Sequence, residues 1–154
     1  MHKESVQVRS KDGSTEAAEI EWWSDDNRIL GQPSSNVKIT VDGRSRERSG
    51  FDFFEAFQKA RKPFESNGFR FLCYGASLNV WPSGMARDMG GGLKAYRLCE
   101  DRRPSLDDLV RIFESGEGVI PSTAEEQTSY AEAWYEKKTG KSLSGSKKKW
   151  WKFW

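Results

Sequence analysis

The chain has 154 residues, 36% of them hydrophobic and 31% charged, and a formal net charge of +2. That length suits one domain with a single hydrophobic core. The only histidine is His2, so a Ser-His-Asp or Cys-His catalytic system has no base, and His2 with Cys73 and Cys99 cannot supply four zinc ligands.

The composition therefore favours a non-enzymatic function, and we expect no metal and no cofactor. No run of about 18 apolar residues is present to span a bilayer, and the start of the chain lacks an apolar secretory segment. Two cysteines in apolar stretches are typical of buried thiols in a reducing compartment. We expect a cytoplasmic protein, with attachment to a membrane surface as an alternative that depends on the end of the chain.

The first third of the chain predicts two strands. Residues 1–15 read as a flexible polar lead, residues 16–24 as a strand, and residues 25–36, rich in turn formers, as a loop. "VKITV" (37–41) alternates with period two, which puts Val37, Ile39 and Val41 on one face. Asp42 and Gly43 then form a turn.

Arginines stand at alternate positions in the next segment, "DGRSRERSG", as Arg44, Arg46 and Arg48. If the backbone is extended, the three guanidinium groups line one side. Such a row suits carboxylate or phosphate recognition, and we treat it as a second contact surface. The alternative is a solvated hairpin edge whose charges discourage strand addition.

"FDFFEAFQKARKPFESNG" is the clearest helix in the sequence. Its apolar face consists of Phe53, Phe54, Phe57, Ala60 and Phe64. Ser49 with Asp52 resembles a capping box and Gly68 is placed to end the helix, but Pro63 predicts a kink or an end near Arg61.

The second half predicts two strands and two further helices. Residues 69–81 and 93–99 read as strands, and "PSLDDLVRIFES" reads as a helix capped by Ser105 with Asp108. A last helix follows Pro121, capped by Ser122 with Glu125 and ended by Gly140. The predicted fold is α+β: one domain over residues 16–140, with a small, mostly antiparallel sheet and about three helices on one face.

A glycine-rich turn, "WPSGMARDMGGGLKAY" (81–96), is the predicted binding site. The candidate residues are Trp81, Ser83, Arg87, Asp88, Gly90, Gly91, Gly92, Lys94 and Tyr96. Glycine amides beside Arg87 and Lys94 could hold an anion. The spacing matches neither the Walker pattern nor the dinucleotide fingerprint, since a strand is expected after the glycines.

A purely structural interpretation of the same stretch competes with a binding site. In it, Ser83 caps a short helix, Gly90 ends the helix, and Met85, Ala86 and Met89 face the sheet. Arg87 and Asp88 then point outward.

The end of the chain, residues 141–154, is predicted to be a flexible tail. Its last eight residues are Lys147, Lys148, Lys149, Trp150, Trp151, Lys152, Phe153 and Trp154. This composition suits an anionic membrane surface or a partner protein's pocket, and a tail that folds back on its own domain is the alternative.

The residues together predict a protein-binding domain, of adaptor or immunity type, that uses the glycine-rich turn and makes a second contact through its tail. One alternative is an anion-binding domain or enzyme that uses Arg87, Lys94 and the glycine amides, with Asp88 or Tyr96 carrying protons. The other is a membrane-surface protein anchored by the tail. We expect another protein as the partner and do not expect nucleic acid.

Overall fold

The protein is an α+β domain with two antiparallel sheets and three α-helices in a computed structural model that describes residues 1–25 and 34–140. The strands are β1 (His2–Arg9), β2 (Thr15–Asp25), β3 (Ser34–Val41), β4 (Arg44–Gly50), β5 (Arg70–Phe71), β6 (Val80–Trp81), β7 (Lys94–Arg97) and β8 (Leu109–Arg111). The helices are α1 (Phe53–Ser66), α2 (Gly84–Gly90) and α3 (Ala124–Thr139). Among the described helices, none combines the length and apolar character needed to span a membrane.

The larger sheet has the order β4-β3-β2-β1-β5, which makes β4 an edge strand. Its register places Ile20 opposite Ile39 and Trp22 opposite Val37, so their buried side chains share the face that packs on α1. The smaller sheet has the order β6-β7-β8.

The predicted flexible lead over residues 1–15 is wrong, because His2–Arg9 form β1 between β2 and β5. Val6 and Val8 are buried, and the His2 ring stacks on Trp22 with centroids 5.3 Å apart. Two valines at alternate positions are a weak sequence signal for a strand, but pairing with β2 and β5 on both sides supplies the backbone hydrogen bonds. Strands β2 and β3 also reach into the predicted loop 25–36, of which residues 26–33 lie outside the described part.

Helix α1 buries its predicted aromatic face. The Phe57 ring makes edge contacts with the rings of Phe71 and Phe113. Asp52, rather than Ser49, is the N-cap and accepts a hydrogen bond from the Glu55 amide at 2.8 Å. The predicted end near Arg61 is wrong: the helix continues through Pro63 because Phe64 and Glu65, just beyond it, are buried and held by tertiary contacts.

Two predicted elements take other forms. The segment 69–81 is not one long strand: between β5 and β6 lies a single 3₁₀ turn, Tyr74–Ala76, in which the Gly75 amide donates to Ile112 O. The predicted helix at residues 104–115 is also wrong. Ser105 and Asp108 do form the capping box, but it begins only the 3₁₀ turn Leu106–Asp108, and the chain then pairs with β7 as β8.

Helix α3 begins one residue later than predicted, with Thr123 and Glu126 forming the capping box. It is fixed to the rest of the fold by the buried Gln127, whose Nε2 donates to the carbonyl oxygens of Gly75, Ser77 and Val80. Cys73 and Cys99 are free thiols, and burial raises the pKa of Cys73 to about 12.

Candidate functional site

The glycine-rich turn forms α2 and packs on the N-terminal end of α1. Ser83 caps α2 as predicted, its Oγ accepting from the Ala86 amide at 3.1 Å. The cap at the other end is Gly91, in the left-handed conformation, rather than Gly90. The Phe53 amide donates to Gly91 O at 2.7 Å, which joins the turn to the first residue of α1.

Arg87 is held inside this junction and does not point outward. Its Nη1 lies 2.8 Å from Asp52 Oδ2, and only 1% of the Asp52 side chain is exposed. The guanidinium carbon lies 5.2 Å from the ring centroid of Phe51, 5.4 Å from that of Phe54 and 5.5 Å from that of Trp81. Burial raises the pKa of the Asp52 carboxyl, and the charge of Arg87 opposes that rise. Arg87 therefore neutralises the cap of α1.

The glycine amides are used within the turn. The amides of Gly91 and Gly92 both donate to Ala86 O, and the Leu93 amide donates to Gly90 O. Such bonds are those of a helix C-cap. An anion at this turn would have to displace them.

Gly92 is required by close approach as well as by conformation. Its φ is +75°, and a Cβ there would lie 3.0 Å from Asp52 Cγ and 3.0 Å from the Phe54 amide nitrogen. Gly90, two residues earlier, has open space around it.

We expect Gly92→Ala to lower the free energy of unfolding by about 2 kcal/mol, since a left-handed alanine alone costs about 1–2 kcal/mol. Gly90→Ala, at the end of α2, should stabilise the protein slightly. Urea unfolding of both variants measures the difference. Equal effects of the two substitutions would mean that the junction with Asp52 does not constrain the turn.

The outer side of the turn carries two exposed methionines. Met85 is 65% exposed and Met89 is 83% exposed, so the prediction that they face the sheet is wrong. They are one helical turn apart, and Arg87, on the opposite side of α2, occupies the inner position. Asp88 is exposed between them.

The remaining candidates divide by exposure. Trp81 is buried and Tyr96, its partner in the β6–β7 ladder, is half-buried, whereas Lys94 and Gly90 are exposed. The accessible part of the turn therefore consists of Met85, Asp88, Met89, Gly90 and Lys94, which we call the α2 surface. Phe51, 68% exposed, contacts Arg87 on the inner side of α2.

The second predicted contact, Arg44, Arg46 and Arg48, lies on β4 and all three residues are exposed. Arg44 and Arg46 line a cavity with Pro63 and Asn67, at the C-terminal end of α1. The glycine-rich turn lies at the other end of α1, which 14 residues make about 21 Å long. The structure thus does not bring the arginine row and the turn into one site. The predicted tail contact, residues 147–154, lies outside the described residues.

The sequence had no signal for the partner of Arg87, because Asp52 is 35 residues away in the chain. The i, i+4 spacing of Met85 and Met89 correctly indicated that they share one face of α2. Because they are apolar, however, that face was predicted to pack on the sheet, whereas it is exposed. In the described ranges 1–25 and 34–140, no group of three His, Cys, Asp or Glu side chains is placed to hold a metal ion. Comparison with known proteins finds no matching family model and no matching curated protein.

Proposed function

We propose that this protein is an interaction domain that binds another protein through the α2 surface. The observation that supports it is the pair of exposed methionines, Met85 and Met89, on a helix fixed to the core by Arg87 and Asp52. Methionine side chains adapt to the shape of a partner and lose contact with water on binding. A rigid base under such side chains lowers the entropic cost of association.

The anion-binding alternative has less support from the same geometry. Arg87 already pairs with a carboxylate, and the amides of Gly91 and Gly92 already donate to Ala86 O. Lys94 is the remaining cation of the proposed cradle, and one exposed lysine is a weak anion site.

A cytoplasmic location is part of the proposal and agrees with the two free thiols.

The test is the double variant Met85→Ser/Met89→Ser, compared with Leu106→Ser/Ile120→Ser. Leu106 and Ile120 are also exposed, at 80% and 47%, but lie on other elements. Tagged protein is cross-linked in lysate of the native host, and captured proteins are quantified by mass spectrometry. We expect a partner recovered at stoichiometric level to fall at least about tenfold with the methionine variant only, because interface anchors each contribute more than about 1 kcal/mol.

Two outcomes would contradict the proposal. One is recovery of every captured protein by the methionine variant at the wild-type level. The other is an equal loss of the captured partner with both double variants, which would indicate non-specific hydrophobic binding. Size-exclusion chromatography with light scattering, run on all three proteins, measures their molar mass and so tests whether the partner is a second copy of the chain.

A further inference from the structure

We propose that a groove between the edge strand β4 and helix α1 binds single-stranded nucleic acid through its phosphate backbone. The inference rests on different residues from the α2 surface and does not depend on it. It also runs against the expectation from the sequence, because the overall charge of +2 hides a strong local concentration of cations.

The arginines of β4 lie on the helix side of the sheet. Arg44, Arg46 and Arg48 are directly opposite Val41, Ile39 and Val37, whose side chains are buried toward α1. Residues directly opposite in an antiparallel pair share a face. The three arginines therefore border the helix in a single row, with successive Cα atoms about 6.8 Å apart in an extended strand.

Lysines of α1 form the facing side of the groove. Lys59 and Lys62 line an open surface depression with Arg48, Pro63 and Ser66. Lys59 pairs with Glu55 at 2.8 Å and Lys62 with Glu125 at 3.7 Å, both at exposed positions where such pairs are weak.

More cations follow around the end of α1. A third depression, also open and lined by Arg9, Lys11 and Arg70, shares Ser66 with the lysine depression and Asn67 with the cavity of Arg44 and Arg46. The three adjoining depressions, which we call the basic track, are lined by eight Lys or Arg and two acids, Asp42 and Glu65, so the lining residues have a net charge of +6. Glu55 and Glu125, the partners of Lys59 and Lys62, lie outside this lining. Glu65 is buried and pairs with Arg61, so it does not oppose a ligand.

The edge of β4 is unsuited to an added peptide strand. The two-residue turn Asp42–Gly43 is closed by the pair Val41 and Arg44, so the backbone groups of Ser45 and Glu47 point to the open edge. Arg46 Nη1 donates to Ser45 O and Arg48 Nη1 to Glu47 O, each at 2.8 Å. Because the arginines cover the edge carbonyls, an acidic peptide would have to displace them in order to pair with β4.

A nucleic-acid strand needs no backbone pairing, only cations placed along its length. Each guanidinium has five N–H donors, and those of Arg46 and Arg48 each use one of them on the edge. In the described part of the chain, none of the β4 arginines has a carboxylate within ion-pair distance. A straight row of evenly spaced arginines fits one extended phosphate backbone better than the two strands of a duplex.

The experiment measures binding of a fluorescein-labelled, mixed-sequence 16-nucleotide DNA strand by anisotropy, between about 0.05 and 0.4 M NaCl. The proteins are the full chain, Arg44→Gln/Arg46→Gln/Arg48→Gln, and a matched control, Lys3→Gln/Arg111→Gln/Lys137→Gln. Both triple variants lose three positive charges, and all three control residues are exposed and outside both the basic track and the α2 surface. Every protein retains residues 147–154, so any contribution of the tail is common to all.

We expect a linear fall of log K with log [NaCl] for the full chain, with a slope that the arginine variant flattens by about 2, at roughly 0.7 per lost phosphate contact. Affinity at 0.1 M NaCl should fall about 100-fold for the arginine variant, and far less for the control. The charge-preserving variant Arg44→Lys/Arg46→Lys/Arg48→Lys should retain most of the binding. Thermal melting checks that each variant is folded.

Several results would overturn the proposal. These are no binding at 0.05 M NaCl, equal losses in both glutamine variants, tighter binding of a duplex of the same sequence, or tighter binding of a 16-residue polyglutamate. The last result would assign the basic track to an acidic protein segment instead.

Discussion

Arg61→Met is expected to lower the free energy of unfolding by about 3–5 kcal/mol, the range for removing one member of a buried ion pair. Arg61 has no exposed surface, and its Nη1 contacts Glu65 Oε2 and also donates to Ser122 O at 3.1 Å. Its Nη2 contacts Gln127 Oε1. The substitution would leave a buried carboxylate without its cation, and Gln127 Oε1 would keep the hydrogen bond from Gln58 Nε2, at 3.0 Å, but lose the one from Arg61.

The double variant Arg61→Met/Glu65→Met should be more stable than Arg61→Met alone, because it removes the unpaired charge together with its partner. Some cost remains, since Glu65 Oε1 also accepts from the Ala124 amide at 2.9 Å and so joins α1 to α3. Urea unfolding of both variants and the wild type gives the comparison. A double variant that is less stable than the single one would mean that the carboxylate stabilises the fold without Arg61.

The loss of unfolding free energy in Arg61→Met, relative to the wild type, should depend on pH. Burial already raises the pKa of Glu65 in the native protein, with Arg61 opposing the rise, so loss of Arg61 should raise it further. A folded-state pKa above the unfolded value means that stability is retained at low pH and lost as pH rises between the two values. The difference from wild type should therefore be smaller at pH 5 than at pH 8.

Local patterns were enough to predict the elements whose signals are complete within a few residues. The alternation of Val37, Ile39 and Val41, the phenylalanine face of α1 and the Ser83 cap of α2 all appear in the structure. The fold class follows from such elements, because an amphipathic helix needs an apolar sheet face to cover.

Elements that depend on distant partners could not be predicted in this way. Strand β1 has only two buried valines of its own and gains its stability from β2 and β5 on either side. The capping box of Ser105 and Asp108 is real, but whether a helix continues beyond it depends on β7, which pairs with the following residues instead. Arg87 was predicted to be accessible because its partner, Asp52, lies in another element.

Arg87→Met is the second substitution with a large expected effect. It should lower the free energy of unfolding by about 3 kcal/mol, because it leaves the carboxylate of Asp52 buried and uncompensated. Asp52→Asn should cost less, about 1 kcal/mol, since asparagine is also a good N-cap and can still accept from the Glu55 amide. The freed guanidinium is 15% exposed, retains its contacts with three rings and can reach water.

Comparing the stability of Arg87→Met with that of Lys94→Met separates a structural role for Arg87 from a ligand-binding one. Lys94→Met is the control: it removes a cation from an exposed position in the same turn, where substitutions usually change stability by less than about 0.5 kcal/mol. If Arg87 serves mainly to bind a ligand, Arg87→Met should unfold at the same urea concentration as Lys94→Met. If Arg87 instead neutralises the cap of α1, the variant should unfold at a clearly lower concentration, and a partner lost with it would reflect a displaced α2 rather than a lost contact.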